Sequence, residues 1–130
     1  MKILGIGVDI IQNNRIKNSI KNLKFRDRIY STNELKQSNL SKDKIGYLSK
    51  RFAAKEAFAK ALGTGFRNNL NFKDIEIIND KLGKPYYSKT KKITQIIRKE
   101  FKVKNFVCFL SISDEKEYST AFTIIQSTWN

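Results

Sequence analysis

The sequence has no histidine, a single cysteine and few acids: 12 Asp and Glu stand against 26 Lys and Arg. Without histidine, the commonest general base and the commonest metal ligand are both missing. Any acid–base or metal chemistry must therefore use carboxylates, lysines or water. One cysteine excludes an internal disulfide framework and points to a reducing compartment, so a cytoplasmic protein is expected. Cys108 lies in an apolar run and is read as a small buried hydrophobe. No apolar stretch reaches the length of a membrane span, and no membrane partner is expected. Residues 1–12 are the nearest approach to a leader, but Asp9 interrupts them and no small-residue cleavage site follows. They are read as a strand of the mature chain. Linkers rich in proline or in Gly and Ser are lacking, as are internal repeats, and 130 residues suit one domain over 1–130.

What is present is a net charge of +14, which calls for an anionic partner: a phosphorylated small molecule, an acidic protein, a nucleic acid or an anionic surface. Residues 2–10 alternate, with Leu4, Ile6, Val8 and Ile10 on one face and Gly5, Gly7 and Asp9 on the other, the pattern of a strand. Residues 13–28 carry Ile16, Ile20 and Leu23 at helical spacing among six basic residues and one acid, predicting a basic amphipathic helix. Ser31 and Glu34 have the spacing of a capping box for a short helix. Ser41 is placed to cap a longer helix that runs to about Leu62 and stops at Gly63 and Gly65. Strands are expected over 74–78 and from Tyr86–Tyr87, separated by the turn-rich segment 79–85. A helix is expected over 89–101, and two strands over 105–113 and 118–126 joined at 114–117. The sum is an α+β fold, an antiparallel sheet with helices packed on it.

Four segments carry chemistry. In the first, Asp9 shares a strand face with Gly5 and Gly7, and the missing side chains leave room for a ligand or for a close backbone. The alternative is that Asp9 caps the following helix. In the second, Arg51-Phe52-Ala53-Ala54-Lys55-Glu56-Ala57 leads into Lys60 and Gly63. Glu56 and Lys60 are one helical turn apart, and as an exposed pair they would be worth only ~0.3–0.5 kcal/mol. Phe52 and the alanines imply that this face is partly buried, where a carboxylate needs a partner. Asp9 and Glu56 would satisfy each other across a Mg²⁺ ion, which takes one or two protein carboxylates and completes its shell with water and phosphate oxygens. The third segment, Leu110-Ser111-Ile112-Ser113-Asp114, offers hydroxyls to phosphate or is simply a strand entering a turn. The fourth is the basic helix, self-repulsive unless an anion docks on it, with Phe25 as an apolar anchor.

In this order the segments resemble the holo-[acyl-carrier-protein] synthase family of 4'-phosphopantetheinyl transferases. The resemblance runs through Gly7-Val8-Asp9-Ile10, the Arg51–Gly65 block, Asp74-Ile75-Glu76-Ile77, Gly83-Lys84-Pro85-Tyr86 and Ser111-Ile112-Ser113. It implies transfer of phosphopantetheine from coenzyme A to a serine of an acidic acyl carrier protein, with release of 3',5'-ADP, in fatty acid and lipid biosynthesis. It implies that Asp9 and Glu56 hold Mg²⁺, that Glu56, directly or through a metal-bound water, takes the serine proton and that Lys60 contacts the phosphates. Arg51, Gly63, Pro85 and Ser111 would line the coenzyme A site, with Lys42 and Lys44 at the 3'-phosphate. Arg15, Lys21, Lys24, Phe25 and Arg28 would receive the carrier protein. Short bacterial members resemble homotrimers with active sites between subunits. Asp114 is a departure, because the family usually has histidine there. The competing reading is a small basic nucleic-acid-binding module, which accounts for the charge but leaves the carboxylates of Asp9 and Glu56 to repel a polyanion. No nucleic-acid partner is therefore expected.

Overall fold

A computed structural model describes residues 1–67 and 69–129. Its centre is the helix α4 (Lys44–Leu62), laid across a three-stranded antiparallel sheet of β1 (Ile3–Gln12), β4 (Phe106–Asp114) and β5 (Tyr118–Ser127). The strand order is β1-β5-β4, and β4 and β5 form a hairpin. A second, two-stranded antiparallel sheet pairs β2 (Ile77–Asn79) with β3 (Pro85–Tyr87). The expected α+β architecture is what forms.

The close fit of α4 on the sheet follows from small residues on both sides. Ala53, Ala54, Ala57 and Ala61 are buried on the helix, facing Ala121 and Ile125 of β5. On β1 the glycines let backbone meet backbone. A Cβ at Gly5 would lie 1.8 Å from the Ala61 carbonyl oxygen, and one at Gly7 2.0 Å from that of Ala57. Of the two uses foreseen for this glycine face, the close backbone is the one realised. The apolar face of β1 is the one left open: Ile6, Val8 and Ile10 are each more than half exposed.

Several boundaries differ from the periodicity. The basic segment is not one helix over 13–28 but two, α1 (Asn13–Ser19) and α2 (Leu23–Ile29). Asn22 breaks it, because its side chain accepts from the backbone N–H groups of Lys24 and Phe25 and starts a new helix. Leu23, expected on the buried stripe, is consequently exposed. Ser31 and Glu34 do form the capping box of α3 (Thr32–Leu40). Ser41 does not cap α4. It ends α3, and Asp43 caps α4 by accepting from Gly46 N–H at 3.0 Å. Gly63 ends α4 in the left-handed region, φ +82°, as its type favours. The strand expected over 74–78 starts later, since Phe72–Asp74 close a 3₁₀ turn first. Thr90 caps α5 (Lys91–Phe101), whose Ile93 and Ile97 are buried. Cys108 is only partly buried, and burial pushes its thiol up to about 12.

A buried ion pair ties these elements together. Lys55 Nζ donates to Glu34 Oε1 (2.8 Å) and to the carbonyls of Phe72 (2.9 Å) and Ile75 (2.6 Å). The same Glu34 accepts from the backbone N–H groups of Ser31 and Ile77. Both side chains are fully buried, so α3, α4, the 3₁₀ turn and β2 share one closed polar network.

Candidate active site

Strand β1 and helix α4 bring Asp9, Glu56 and Lys60 together. Asp9 occupies the glycine face of β1, and its neighbours on that face are the bare backbone of Gly7 and the α4 residues packed against it. Lys60 donates to Asp9 Oδ1 at 3.1 Å and to the Val8 carbonyl at 3.0 Å. The alternative reading of Asp9 as a helix cap does not hold: Gln12 precedes α1 and no side chain caps it.

Glu56 lies one turn before Lys60 and is half-buried. Among the described residues no ion pair engages its carboxylate. Burial raises its affinity for a proton, the nearby Asp9 charge raises it further, and Lys60 partly offsets both. The two carboxylates are near enough for their charges to interact, and both are hard oxygen donors of the kind a magnesium ion takes. Among the described residues no cluster of three or more potential ligands exists, so such an ion would draw the rest of its shell from water and phosphate.

The other expected residues fall into three places. Arg51 is buried under Tyr47, its guanidinium carbon 4.1 Å from the ring centroid, and it donates to the side chain of Asn79. Asn79 pairs with Pro85 across the β2–β3 sheet, so Arg51 and Pro85 belong to one neighbourhood. Arg51 Nε is buried with no partner among the described residues, and the guanidinium lines a small cleft with Asn33 and Gln37. Lys42 is exposed and Lys44 half-exposed where α4 begins, while Gly63 ends the same helix. Ser111 is elsewhere. It stands opposite Phe122, itself opposite Val8, on the outer face of the sheet, whereas Asp9 is on the inner face. Within the single chain Ser111 does not join Asp9 and Glu56.

Arg15, Lys21, Lys24 and Arg28 are exposed on α1, α2 and the turn between them. Phe25 is less available than an exposed anchor. Its ring stacks on Phe52 at 6.3 Å and meets Tyr30 edge-on, so it props the basic surface from beneath. Periodicity missed Asn13, whose backbone N–H donates to Glu117 O and whose side chain donates to Glu115 O and Lys116 O and accepts from Ser119. It clamps the start of α1, two residues before Arg15, to the β4–β5 hairpin. Only the position of an Asn before the first helical apolar residue hinted at this. Asp114 ends β4 and reaches Lys50 loosely, at 3.9 Å.

The chain belongs to the 4'-phosphopantetheinyl transferase superfamily, whose family model matches residues 5–123. Within that class, it is similar to holo-[acyl-carrier-protein] synthases along nearly its whole length. The protein of that name from Pelagibacter ubique (strain HTCC1062) is 59% identical over 126 residues, covering 97% of this chain and 98% of that one. Among solved structures, the holo-[acyl-carrier-protein] synthase of Neisseria meningitidis superposes with a TM-score of 0.85 at 38% identity, covering 96% of this chain and 99% of that chain. The holo-(acyl-carrier-protein) synthase of Bacillus anthracis str. Ames, solved in complex with CoA (3',5'-ADP), superposes at 0.81 with 35% identity, covering 98% of this chain and 100% of that chain.

Proposed function

We infer that this chain, acting as one domain, is an enzyme that transfers 4'-phosphopantetheine from coenzyme A to a serine of apo acyl carrier protein. The observation that supports this most directly is the meeting of Asp9, Glu56 and Lys60 between β1 and α4 in a chain of this family. Asp9 and Glu56 would hold Mg²⁺, which when bound offsets charge on the pyrophosphate. Glu56, a half-buried carboxylate one turn from Lys60, accepts the proton of the carrier serine, directly or through a metal-bound water. The serine oxygen bonds to the phosphorus that bears pantetheine, the bridging P–O bond breaks, and 3',5'-ADP leaves with the bridging oxygen. Lys60 supplies positive charge to the phosphates as that bond breaks.

Arg51, Gly63 and Pro85 are assigned to coenzyme A, with Lys42 and Lys44 at its 3'-phosphate. Ser111 joins them from a neighbouring subunit. That assignment fits the open outer face of the sheet, where Ile6, Val8, Ile10, Phe109 and Phe122 form an apolar patch suited to burial between copies of the chain. A homotrimer would bring this face, and Ser111 with it, to the next protomer's site. We place the enzyme in the cytoplasm, in fatty acid and lipid biosynthesis. Among the described residues no helix is long and apolar enough to cross a membrane.

The deciding experiment incubates the protein with apo carrier protein, coenzyme A and Mg²⁺ and weighs the product. A mass gain equal to phosphopantetheine, abolished by EDTA, is expected. No gain, together with tight and salt-dependent binding of DNA or RNA, would favour the basic module instead.

Carrier docking is assigned to the exposed basic residues Arg15, Lys21, Lys24 and Arg28, over Phe25, because acyl carrier proteins are acidic. Arg15→Glu is therefore expected to raise KM for the carrier protein and leave that for coenzyme A unchanged, as steady-state kinetics with each substrate varied would show. An effect on coenzyme A alone would remove the docking assignment. At the end of β4, Asp114 adds a negative charge three residues beyond the assigned Ser111, on the other face of the strand and near Lys50. Replacing it, Asp114→His is expected to keep or improve coenzyme A affinity by calorimetry. A large loss would reveal a contact made by the carboxylate itself.

A further inference from the structure

We propose that Lys60 competes with the divalent cation for Asp9, so that its ammonium must leave the carboxylate before the cation can bind. The inference rests on the reading of Asp9 and Glu56 as that cation's ligands. Lys60 Nζ holds Asp9 Oδ1 at 3.1 Å and the Val8 carbonyl at 3.0 Å. It thereby occupies one oxygen of the carboxylate and places a like charge where a cation on Asp9 would sit. The backbones of β1 and α4 are already in contact at Gly7, beside the Ala57 carbonyl and Ala61 N–H, and leave no slack between the two elements. Only a side chain can move, and the two partners differ in freedom. The Asp9 side chain is 15% exposed, whereas that of Lys60 is 54% exposed.

An anionic donor gives the displaced ammonium somewhere to go. A phosphate drawn to Lys60 frees Asp9 for the cation, and a cation on Asp9 frees Lys60 for the phosphate. Lys60 thus couples the two binding events, and each ligand raises affinity for the other. The lysine that stabilises the leaving phosphate also keeps the carboxylate paired until then.

The test is Mn²⁺ binding to the full chain without coenzyme A, read from the electron paramagnetic resonance of free Mn²⁺. Lys60→Ala and Lys60→Gln are expected to bind Mn²⁺ about two- to fivefold more tightly than the native protein, the scale of a lost ion pair, and Asp9→Asn to lose binding. Unchanged or weaker binding by both lysine variants, with Asp9→Asn still deficient, would overturn the competition and leave the cation site standing. Native-like binding by Asp9→Asn would overturn the cation site itself, and the competition with it. Adding coenzyme A should tighten Mn²⁺ binding more in the native protein than in Lys60→Gln; an equal gain would refute the coupling.

Discussion

Glu56→Gln is expected to lower turnover by about 10²–10⁴-fold, the usual contribution of a positioned general base, and to leave coenzyme A binding largely intact. The amide is nearly isosteric, so the packing of α4 on β1 survives. What is lost is the ability to take a proton and one anionic oxygen toward the cation. Burial and the Asp9 charge raise the proton affinity of Glu56, a property the amide lacks. Single-turnover mass spectrometry gives the rate, and calorimetry gives coenzyme A affinity. A fall of less than tenfold would take the base away from Glu56 and give it to solvent.

The largest effect on stability is expected at the Glu34–Lys55 pair, which has no solvent contact. Glu34→Leu strands the Lys55 ammonium in the core, and Lys55→Met strands the Glu34 carboxylate. Each is expected to cost about 3–5 kcal/mol, a large part of the ~5–15 kcal/mol that holds a domain folded. The double variant should cost less than the sum, because no charge is left unpaired. It cannot recover fully, since the carbonyls of Phe72 and Ile75 and the N–H groups of Ser31 and Ile77 lose their side-chain partners. Urea denaturation of the two single variants and the double variant closes the cycle. Simple additivity would mean that the two charges are not coupled.

Capping chemistry was legible where it is local. Ser31 and Glu34 form their box within one turn, and Gly63 ends α4 where a residue without Cβ is expected to. It was illegible where neighbours competed. Ser41 and Asp43 both have the chemistry of a cap, and only the path of the chain between α3 and α4 selects Asp43. Asn22 splits the basic segment although the apolar spacing runs through it. Glu34 serves twice, in its capping box and as the partner of Lys55, and the second role depends on residues distant in sequence.

By itself the sequence determined the chemistry available to this protein. With no histidine and few acids, Asp9 on a glycine-flanked strand and Glu56 on an alanine-rich helix stood out as a pair, and Lys60 one turn on completed it. The tertiary structure decided which of these touch, and which face of each element is covered. It put the glycine face of β1 against α4 and left the apolar face open, because backbone can approach backbone only where Cβ atoms are missing. It set Ser111 on the far side of the sheet, because strand side chains alternate and antiparallel register ties Ser111 to Phe122 and Val8 rather than to Asp9.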